Sequence, residues 1–459
     1  MQPHLLSGDG VFFKYQPRQP NMQQDIQTLH QAILQGAQIS IDSRQISPNT
    51  IFFALKGEKA DGNDFALEAL QKGALLAVAD KPSLPADQPR LIKVKNCLQT
   101  LQQLARFHRN TFNIPVLAIT GSNGKTTTKE LVSTVLAQKY HTHFTQGNYN
   151  NHIGVPLTLL RMNTQHQMAV IEMGANHMGE IDLLCQIADP DHGLITNTGK
   201  AHIEGFGSVE NIVKGKTELY RYLIQRKGSI FVNADNSTLM EHLRGFPNVF
   251  SFGKQPGHQV WGKIVSAEPF LVVEATIPAD GNSETQTIHT QLIGGYNFEN
   301  VMMAVCVGSH FGVSLPEIAL AIGSYTPQNS RSQFTDTGTN KVIWDAYNAN
   351  PTSMSLAIEN FAAMSDSPKA LILGDMLEMG STALQEHQYI ADLVQAKGFQ
   401  LCLLVGQEFE VLQSLPGHIH QFPCTETAAR WLKKNPLKGY TILVKGSRGI
   451  ALEKLKPLL

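Results

Sequence analysis

Val116 to Lys139 reads VLAITGSNGKTTTKELVSTVLAQK, and the stretch changes period twice. Val116–Ile119 is a short apolar run of the length of a buried strand. Gly121, Ser122, Asn123 and Gly124 form a turn that needs backbone freedom. From Thr126 onward Leu131, Val132, Val135 and Leu136 recur at helical spacing. Strand, glycine turn and helix together aim backbone N–H groups and a helix N-terminus at one point, where an anionic phosphate can sit. Lys125 adds positive charge for β- and γ-phosphates, Thr126 a hydroxyl within reach of magnesium, and Thr127 extends the same turn. The common G-x-x-x-x-G-K-[ST] pattern has glycine where Ile119 stands, so the match is partial. An empty glycine turn is the bland alternative. Lys-Thr in a strand–helix context favours a nucleoside triphosphate.

The 459 residues are enough for about three domains. With 42% hydrophobic residues the chain can build cores, and 37 basic against 38 acidic residues leave a net charge of −1. That balance offers no electrostatic footprint for nucleic acid or an anionic membrane. The cysteines, Cys97, Cys185, Cys306, Cys402 and Cys424, are scattered and lack C-x-x-C spacing, which reads as free thiols in a reducing compartment. No apolar run has the length of a membrane span. Residues 1–21 have no apolar core of a secretory signal and are expected to be a disordered leader or a mis-set start. The expectation is a cytoplasmic monomer.

Outward from the glycine turn the pattern is α/β throughout. Before it, Ile26, Leu29, Ile33 and Leu34 predict a helix. Strands follow at Ile39–Ile41, Ile51–Leu55, Ala74–Ala79 and Leu91–Val94, with helices at Phe65–Leu70 and around Leu98–Ala105. This is a small domain over 22–112. A larger one, 113–325, has further strands at Met168–Glu172, Gly193–Asn197 and Ile230–Asn233. Alternation between Val260 and Leu292 predicts an antiparallel edge there, and Tyr296–Phe311 a helix. A third unit, 326–459, alternates strands Val342–Trp344, Ala370–Leu373, Leu401–Val405 and Thr441–Val444 with helices such as Thr382–Lys397, so its sheet is mostly parallel. Ligands of such sheets bind beyond the strands' carboxyl ends. Thr120, Glu172, Asn197, Asp345, Asp375 and Lys445 gather there, although helix capping explains such residues equally well.

Several segments then read together. TGSNGKTT, the glutamate of IEMGANHMGEI, the histidine of NTGKAHIEGFGS, the lysine of KGKTELY, NADN and GGYNFEN resemble the Mur ligases, which make peptidoglycan precursors by ATP-dependent amide formation. DAYNANPTSM, LGDMLEMG and VKGSRG in the third domain, with DSR, IFFALKG and DGNDF near the N-terminus, resemble the members that join D-alanyl-D-alanine to UDP-N-acetylmuramoyl-tripeptide. The third stem residue is left open between meso-diaminopimelate and lysine. The resemblance implies a UDP-binding N-terminal domain, a central ATPase domain and a Rossmann-like C-terminal domain.

It also implies residue roles. Gly121 to Thr127 bind ATP, with Asn297 and Asn300 near base and ribose. Thr126 and Glu172 hold one magnesium. His202 and a carbamylated Lys216 hold a second, carbamylation turning a cation into an anionic oxygen ligand. Arg331 reaches the phosphates from the third domain, and Asp345 meets the nucleotide. Ser43, Arg44, Asp61, Gly62, Asn150 and Asn151 serve the UDP substrate; Asn348, Asn350, Ser353 and Asp375 serve the dipeptide. Lys125, His202, Lys216 and Arg331 are the catalytic set. Because Lys125 and Arg331 lie in different domains, the third is expected to stand open or variable without ligand.

The chain departs from the family pattern at Arg331, which follows Ser330 and not glycine, at Asn63 for histidine, at Lys200 for proline, and at His152 for an acidic residue. The competing readings are a ligase for the third stem amino acid, folylpolyglutamate synthetase and a catalytically dead nucleotide-binding regulator. The first carries D-Y-A-H-T-P where this chain has DAYNANP, and a D-N-P-R motif not found here. The second is not expected to combine DSR, DGNDF and LGDMLEMG. The third has no need of Lys125, Glu172, His202 and Lys216 together.

Overall fold

The computed structural model describes residues 22–85, 87–279, 282–328, 331–365, 368–413 and 415–459. The 1–21 leader and Ser330 lie outside them. Compactness divides the chain into two bodies. One holds the described residues up to Phe112 with Pro156–Met162; the other holds Asn113–Val155 and Asn163–Leu459.

The first body contains four parallel strands in sequential order, β1 Gln38–Ser40, β2 Thr50–Phe53, β3 Leu76–Ala79 and β4 Leu91–Lys93. Every residue of β2 and β3 is buried, the mark of strands covered on both faces. In the helix Met22–Leu34 the buried stripe runs through Asp25, Ile26, Leu29 and Ala32. Leu34, expected on that stripe, is exposed at 56%, because it lies over a quarter-turn away from Leu29's line.

The second body contains two sheets. The larger has β5 Val116–Thr120, β6 Thr142–Phe144, β7 Met168–Glu172, β8 His192–Ile195, β9 Ser229–Asn233, β10 Val249–Gly253, β11 Val260–Ser266, β12 Val272–Ala279 and β13 Asn282–His289. Their spatial order is β13-β12-β11-β10-β9-β8-β5-β7-β6. The strands β11 to β13 pair antiparallel, as the alternation predicts, and the rest are parallel. From β5 the chain winds first to β6 and β7 on one side, then to β8 and β9 on the other. That reversal makes the end of β5 a topological switch point, the place where an open sheet leaves a crevice.

The smaller sheet has β14 Gln333–Asp336, β15 Lys341–Asp345, β16 Lys369–Gly374, β17 Leu401–Val405, β18 Ile419–Phe422 and β19 Thr441–Lys445, in the order β14-β15-β19-β16-β17-β18. Only β14 runs antiparallel, at the edge. Side chains alternate between two cores. Ile343, Leu371, Leu373, Leu404 and Leu443 enter one, and Val342, Trp344, Ile372, Leu403 and Val444 the other. Each such leucine, isoleucine or valine contributes about 2 kcal/mol by leaving water. Both sheets thereby become rigid frames whose strand ends hold polar residues. Among the described residues no helix is long and apolar enough to cross a membrane.

Candidate active site

The turn after β5 is held open by backbone conformations that L side chains avoid. Gly121 has φ 141° and Gly124 φ 78°. A Cβ on Gly121 would stand 2.0 Å from Thr196 Oγ1, and one on Gly124 2.5 Å from Asn300 Oδ1. The end of β8 grips the turn. Thr196 Oγ1 donates to the Asn123 carbonyl at 2.6 Å and Asn197 Nδ2 to the same oxygen at 3.0 Å. Ser122 N–H donates to the Asn197 carbonyl at 2.8 Å. Lys125 Nζ folds over the turn, donating to the carbonyls of Gly121 at 2.8 Å and Ser122 at 2.9 Å. Burial pushes its ammonium below the usual lysine range; Glu172 pulls it back up and Arg331 pushes it further down. Ser122 Oγ and Asn123 Nδ2 are buried without a hydrogen-bond partner among the described residues. Such orphans cost about 1–3 kcal/mol each, which a polar ligand relieves. Thr127, next along the helix Lys125–Leu136, is half-buried.

Glu172 ends β7 and is buried. Its Oε2 accepts from Thr126 Oγ1 at 2.9 Å and its Oε1 from Asn150 Nδ2 at 2.8 Å. A carboxylate and a hydroxyl side by side at a helix start suit magnesium, which takes one or two protein oxygens and fills the rest with phosphate and water. Asn151 behaves differently from Asn150: its Oδ1 accepts from Ile153 and Gly154 N–H, starting the helix Gly154–Leu159.

Lys216 closes the helix Val209–Lys216 and is fully buried, whereas Lys214 is exposed. Its Nζ donates to the Ala175 carbonyl at 3.0 Å and lies 5.1 Å from the Phe206 ring centre. Burial drives its pKa well below the usual lysine range and the nearby Lys125 adds to this, while Glu180 and Glu218 oppose it. A neutral amine is the form that takes up carbon dioxide. His202 follows β8, and its Nδ1 is hydrogen-bonded to Glu378 Oε2. The described residues hold no cluster of three histidine, cysteine, aspartate or glutamate side chains able to bind a metal. The unmodified Lys216 amine offers such an ion no oxygen, whereas a carbamate on it would.

The strand ends of the smaller sheet meet this loop directly. Asn350 caps the helix Pro351–Ala363, accepting from Ser353 N–H at 2.9 Å in a capping box, and its Nδ2 donates to Asn123 Oδ1 at 2.7 Å. The central and third domains thus stand assembled, where an open or variable third domain is expected without ligand, because the Asn350–Asn123 bond joins them and Arg331 comes near enough to Lys125 to depress its pKa. Arg331 stacks on Tyr347 at 3.7 Å. Asp345 accepts from Lys445 Nζ at 2.6 Å and from Ser332 N–H at 3.2 Å, so it anchors the turn carrying Arg331. Asn348 turns its Oδ1 onto the adjacent Ala349 N–H. Asp375 is buried, its two oxygens accepting from Glu408 and Phe409 N–H at 3.0 Å. Those bonds hold the turn after β17. Asn297 and Asn300 are buried behind Gly124: Asn300 Nδ2 donates to Asn297 Oδ1 at 2.9 Å and its Oδ1 accepts from Thr128 at 3.0 Å. They brace the loop from behind.

In the first body Arg44 is exposed and bonds Asp42 twice, at 2.9 and 2.8 Å. That pairing holds the Asp42 carboxyl down at about 2. The Ser43 carbonyl accepts from Lys72. Asp61 caps the turn Gly62–Phe65. Asn63, the departure from histidine, is buried; its Nδ2 bonds Asp61 and Asp80 at 2.8 Å, and its Oδ1 accepts from Asp80 and Lys81 N–H. It works as a hub for two loops.

Thr196, Asn197, Lys200 and Glu378 were given no role by the sequence. Asn197 carried one signal, its place at a strand end. Glu378 lay within LGDMLEMG without any spacing that linked it to His202, and their partnership needs the tertiary fold.

A phosphate loop at a switch point, faced by the strand ends of a second parallel sheet, defines a nucleotide-using α/β enzyme of two cooperating domains plus an N-terminal one. Family descriptions match in the same order: "Mur ligase family, catalytic domain" over residues 37–109, "Mur ligase middle domain" over 119–308 and "Mur ligase, glutamate ligase domain" over 330–448. A UDP-N-acetylmuramoyl-tripeptide–D-alanyl-D-alanine ligase of Bacillus subtilis is 32% identical, covering 93% of each chain. A MurF crystal structure from Acinetobacter baumannii superposes with TM-score 0.82 at 28% identity, over 96% of this chain and 99% of that one. MurF of Thermotoga maritima, in complex with ADP, gives 0.81 at 26%, over 93% and 97%. A folylpolyglutamate synthase of Mycobacterium tuberculosis, at 13% identity and TM-score 0.59, shares the fold alone. The chain belongs to the Mur ligase family, in its MurF branch.

Proposed function

We infer that the chain is the ATP-dependent ligase that joins D-alanyl-D-alanine to UDP-N-acetylmuramoyl-tripeptide in cytoplasmic peptidoglycan precursor synthesis, acting as a monomer. The observation carrying this reading is the loop itself, where orphaned Ser122 Oγ and Asn123 Nδ2 flank Lys125 beside the Thr126–Glu172 oxygen pair. A carboxylate must approach the γ-phosphorus although both are anionic. Lys125 from one domain and Arg331 from the other offset that repulsion, and the clamp from Thr196 and Asn197 holds the loop against it. Thr126 and Glu172 would hold one magnesium, and His202 with a carbamate on Lys216 a second, and these ions would supply further charge neutralisation.

The substrate carboxylate bonds to the γ-phosphorus as the bond to the ADP oxygen breaks. The amine of the dipeptide then attacks the carbonyl carbon of the acyl phosphate, and phosphate leaves with the bonding pair as the amine loses its proton. Asn350, tied to Asn123, keeps the domain that receives the dipeptide in register with the phosphate loop.

Phosphate release measured with ATP, UDP-tripeptide and D-alanyl-D-alanine, and with each omitted, tests this. Release should require all three. Release that needs a UDP-dipeptide and a free diamino acid, or a folate, would move the chain to a sister enzyme, and none under any condition would make it a binding module.

Arg44→Ala should raise the KM for the UDP substrate by about tenfold, the loss of one charge-assisted hydrogen bond, and leave that for ATP unchanged. Equal damage to both would mean that the N-terminal domain is misassigned. The third domain is further proposed to leave this assembled arrangement in solution, so scattering should differ with and without an ATP analogue plus UDP-tripeptide, whose phosphates hold Lys125 and Arg331 together. Superimposable profiles count against closure.

A further inference from the structure

His202 and Glu378 follow strands of different sheets, β8 and β16, yet meet. Both are non-glycine residues in the left-handed region, at φ 54° and 63°. Such backbones persist only where their surroundings over-determine them, and they concentrate at working sites. Here the two strained turns are locked to each other. His202 Nδ1 hydrogen-bonds Glu378 Oε2, and Glu204 N–H donates to the Glu378 carbonyl at 3.3 Å. Alongside, Lys200 Nζ pairs with Glu386 at 2.9 Å and Lys200 N–H donates to Thr352 Oγ1 at 3.1 Å. A simple latch between the domains is complete with Lys200 and Glu386; it needs no histidine.

A carboxylate accepts and does not donate, so the shared proton belongs to Nδ1, and in the Nδ1–H tautomer Nε2 keeps its lone pair. We propose that Glu378 is a positioning residue for His202: docking of the third domain brings its carboxylate to Nδ1, fixing the ring's orientation and tautomer, so that Nε2 is offered to a cation only in the assembled arrangement. The free nitrogen of a ligating histidine is commonly set in this way by a carboxylate. Here that carboxylate comes from another domain, and domain docking and ligand competence become one event. Glu378 is 54% exposed, so the pair adds little to stability, and its effect falls on the state of the ring. The proposal rests on the reading of His202 as a site residue.

Histidine-selective ¹⁵N labelling, with His202→Ala to assign the resonance, reads the tautomer directly. In the full-length protein with an ATP analogue and UDP-tripeptide, His202 should be protonated at Nδ1, and in Glu378→Ala it should move toward the Nε2–H form. Ligation kcat in Glu378→Ala should fall roughly 10- to 100-fold with the KM for ATP within about twofold. Glu378→Gln, which keeps an acceptor oxygen, should retain the Nδ1–H form and most of the rate. An unchanged tautomer in Glu378→Ala, or a normal kcat there while His202→Ala is inactive, overturns the positioning role alone. Normal activity in His202→Ala overturns the underlying site assignment.

Discussion

Lys216→Ala should lower ligation by about 10³-fold or more while the fold stays intact, the scale of losing one preorganised electrostatic partner. The lysine is fully buried beside Phe206, with one carbonyl acceptor and another lysine close enough to disfavour its charge. A buried ammonium in that setting is costly, and the neutral amine can capture carbon dioxide, forming an N–C bond and releasing a proton. Acidification therefore reverses the modification, and added bicarbonate at mildly alkaline pH should raise activity. A small carboxylate such as acetate should partly restore Lys216→Ala by supplying the missing oxygens.

Stability should move the other way. With its folded pKa depressed, Lys216 binds fewer protons in the native state than in the unfolded chain. Its burial therefore costs stability at neutral pH, and that cost fades as pH rises toward the unfolded value. Lys216→Met, which fills the space, should be inactive yet melt no lower than the parent. Lys214→Ala should stay within roughly twofold in rate, because its side chain is in solvent. Normal ligation by Lys216→Ala would sink the carbamate; loss in Lys214→Ala alone would assign the wrong lysine.

Local physics made much of this legible in the sequence. Val116–Ile119 and the helix from Lys125 follow from a change of hydrophobic period, and the antiparallel strands after Val260 from simple alternation. Glu172 was legible because a strand end is a fixed address. The burial contrast between Lys214 and Lys216 was not, since helical periodicity allows either to face inward and only the packing of Phe206 and Ala175 decides. Asp375 and Ser353 show how two uses of a polar residue overlap. Asp375 follows a strand end and Ser353 lies in the first turn of a helix, and their oxygens accept from nearby backbone N–H groups, the capping chemistry that sequence alone weighs evenly against binding. The pairs Asn123–Asn350 and His202–Glu378 span over a hundred residues and follow from no local rule.

Gly121→Ala should cost at least about 100-fold in kcat/KM for ATP, the scale of a 1 Å misplacement of reacting groups, without unfolding the protein. At φ 141° an alanine is strained, and its Cβ would stand 2.0 Å from Thr196 Oγ1 and 3.0 Å from the Thr196 backbone nitrogen. Thr196 cannot swing aside freely, because the same Oγ1 holds the Asn123 carbonyl at 2.6 Å. Relief must come from the loop. Gly121, Ser122 and Asn123 would shift off the end of β8, carrying away the carbonyls that position Lys125 and the orphaned donors that await phosphate. Gly147→Ala separates this from the general effect of alanine in a left-handed turn: its φ is 55°, but among the described residues no atom beyond its chain neighbours lies within 4 Å of the added carbon. That variant should lose about 1 kcal/mol of stability and keep its ATP affinity. Thr196→Ala removes the colliding oxygen and should partly rescue Gly121→Ala, whereas alone it loosens the clamp on Asn123. Equal ATP affinity in Gly121→Ala and Gly147→Ala, read by titration calorimetry, would refute the loop's role.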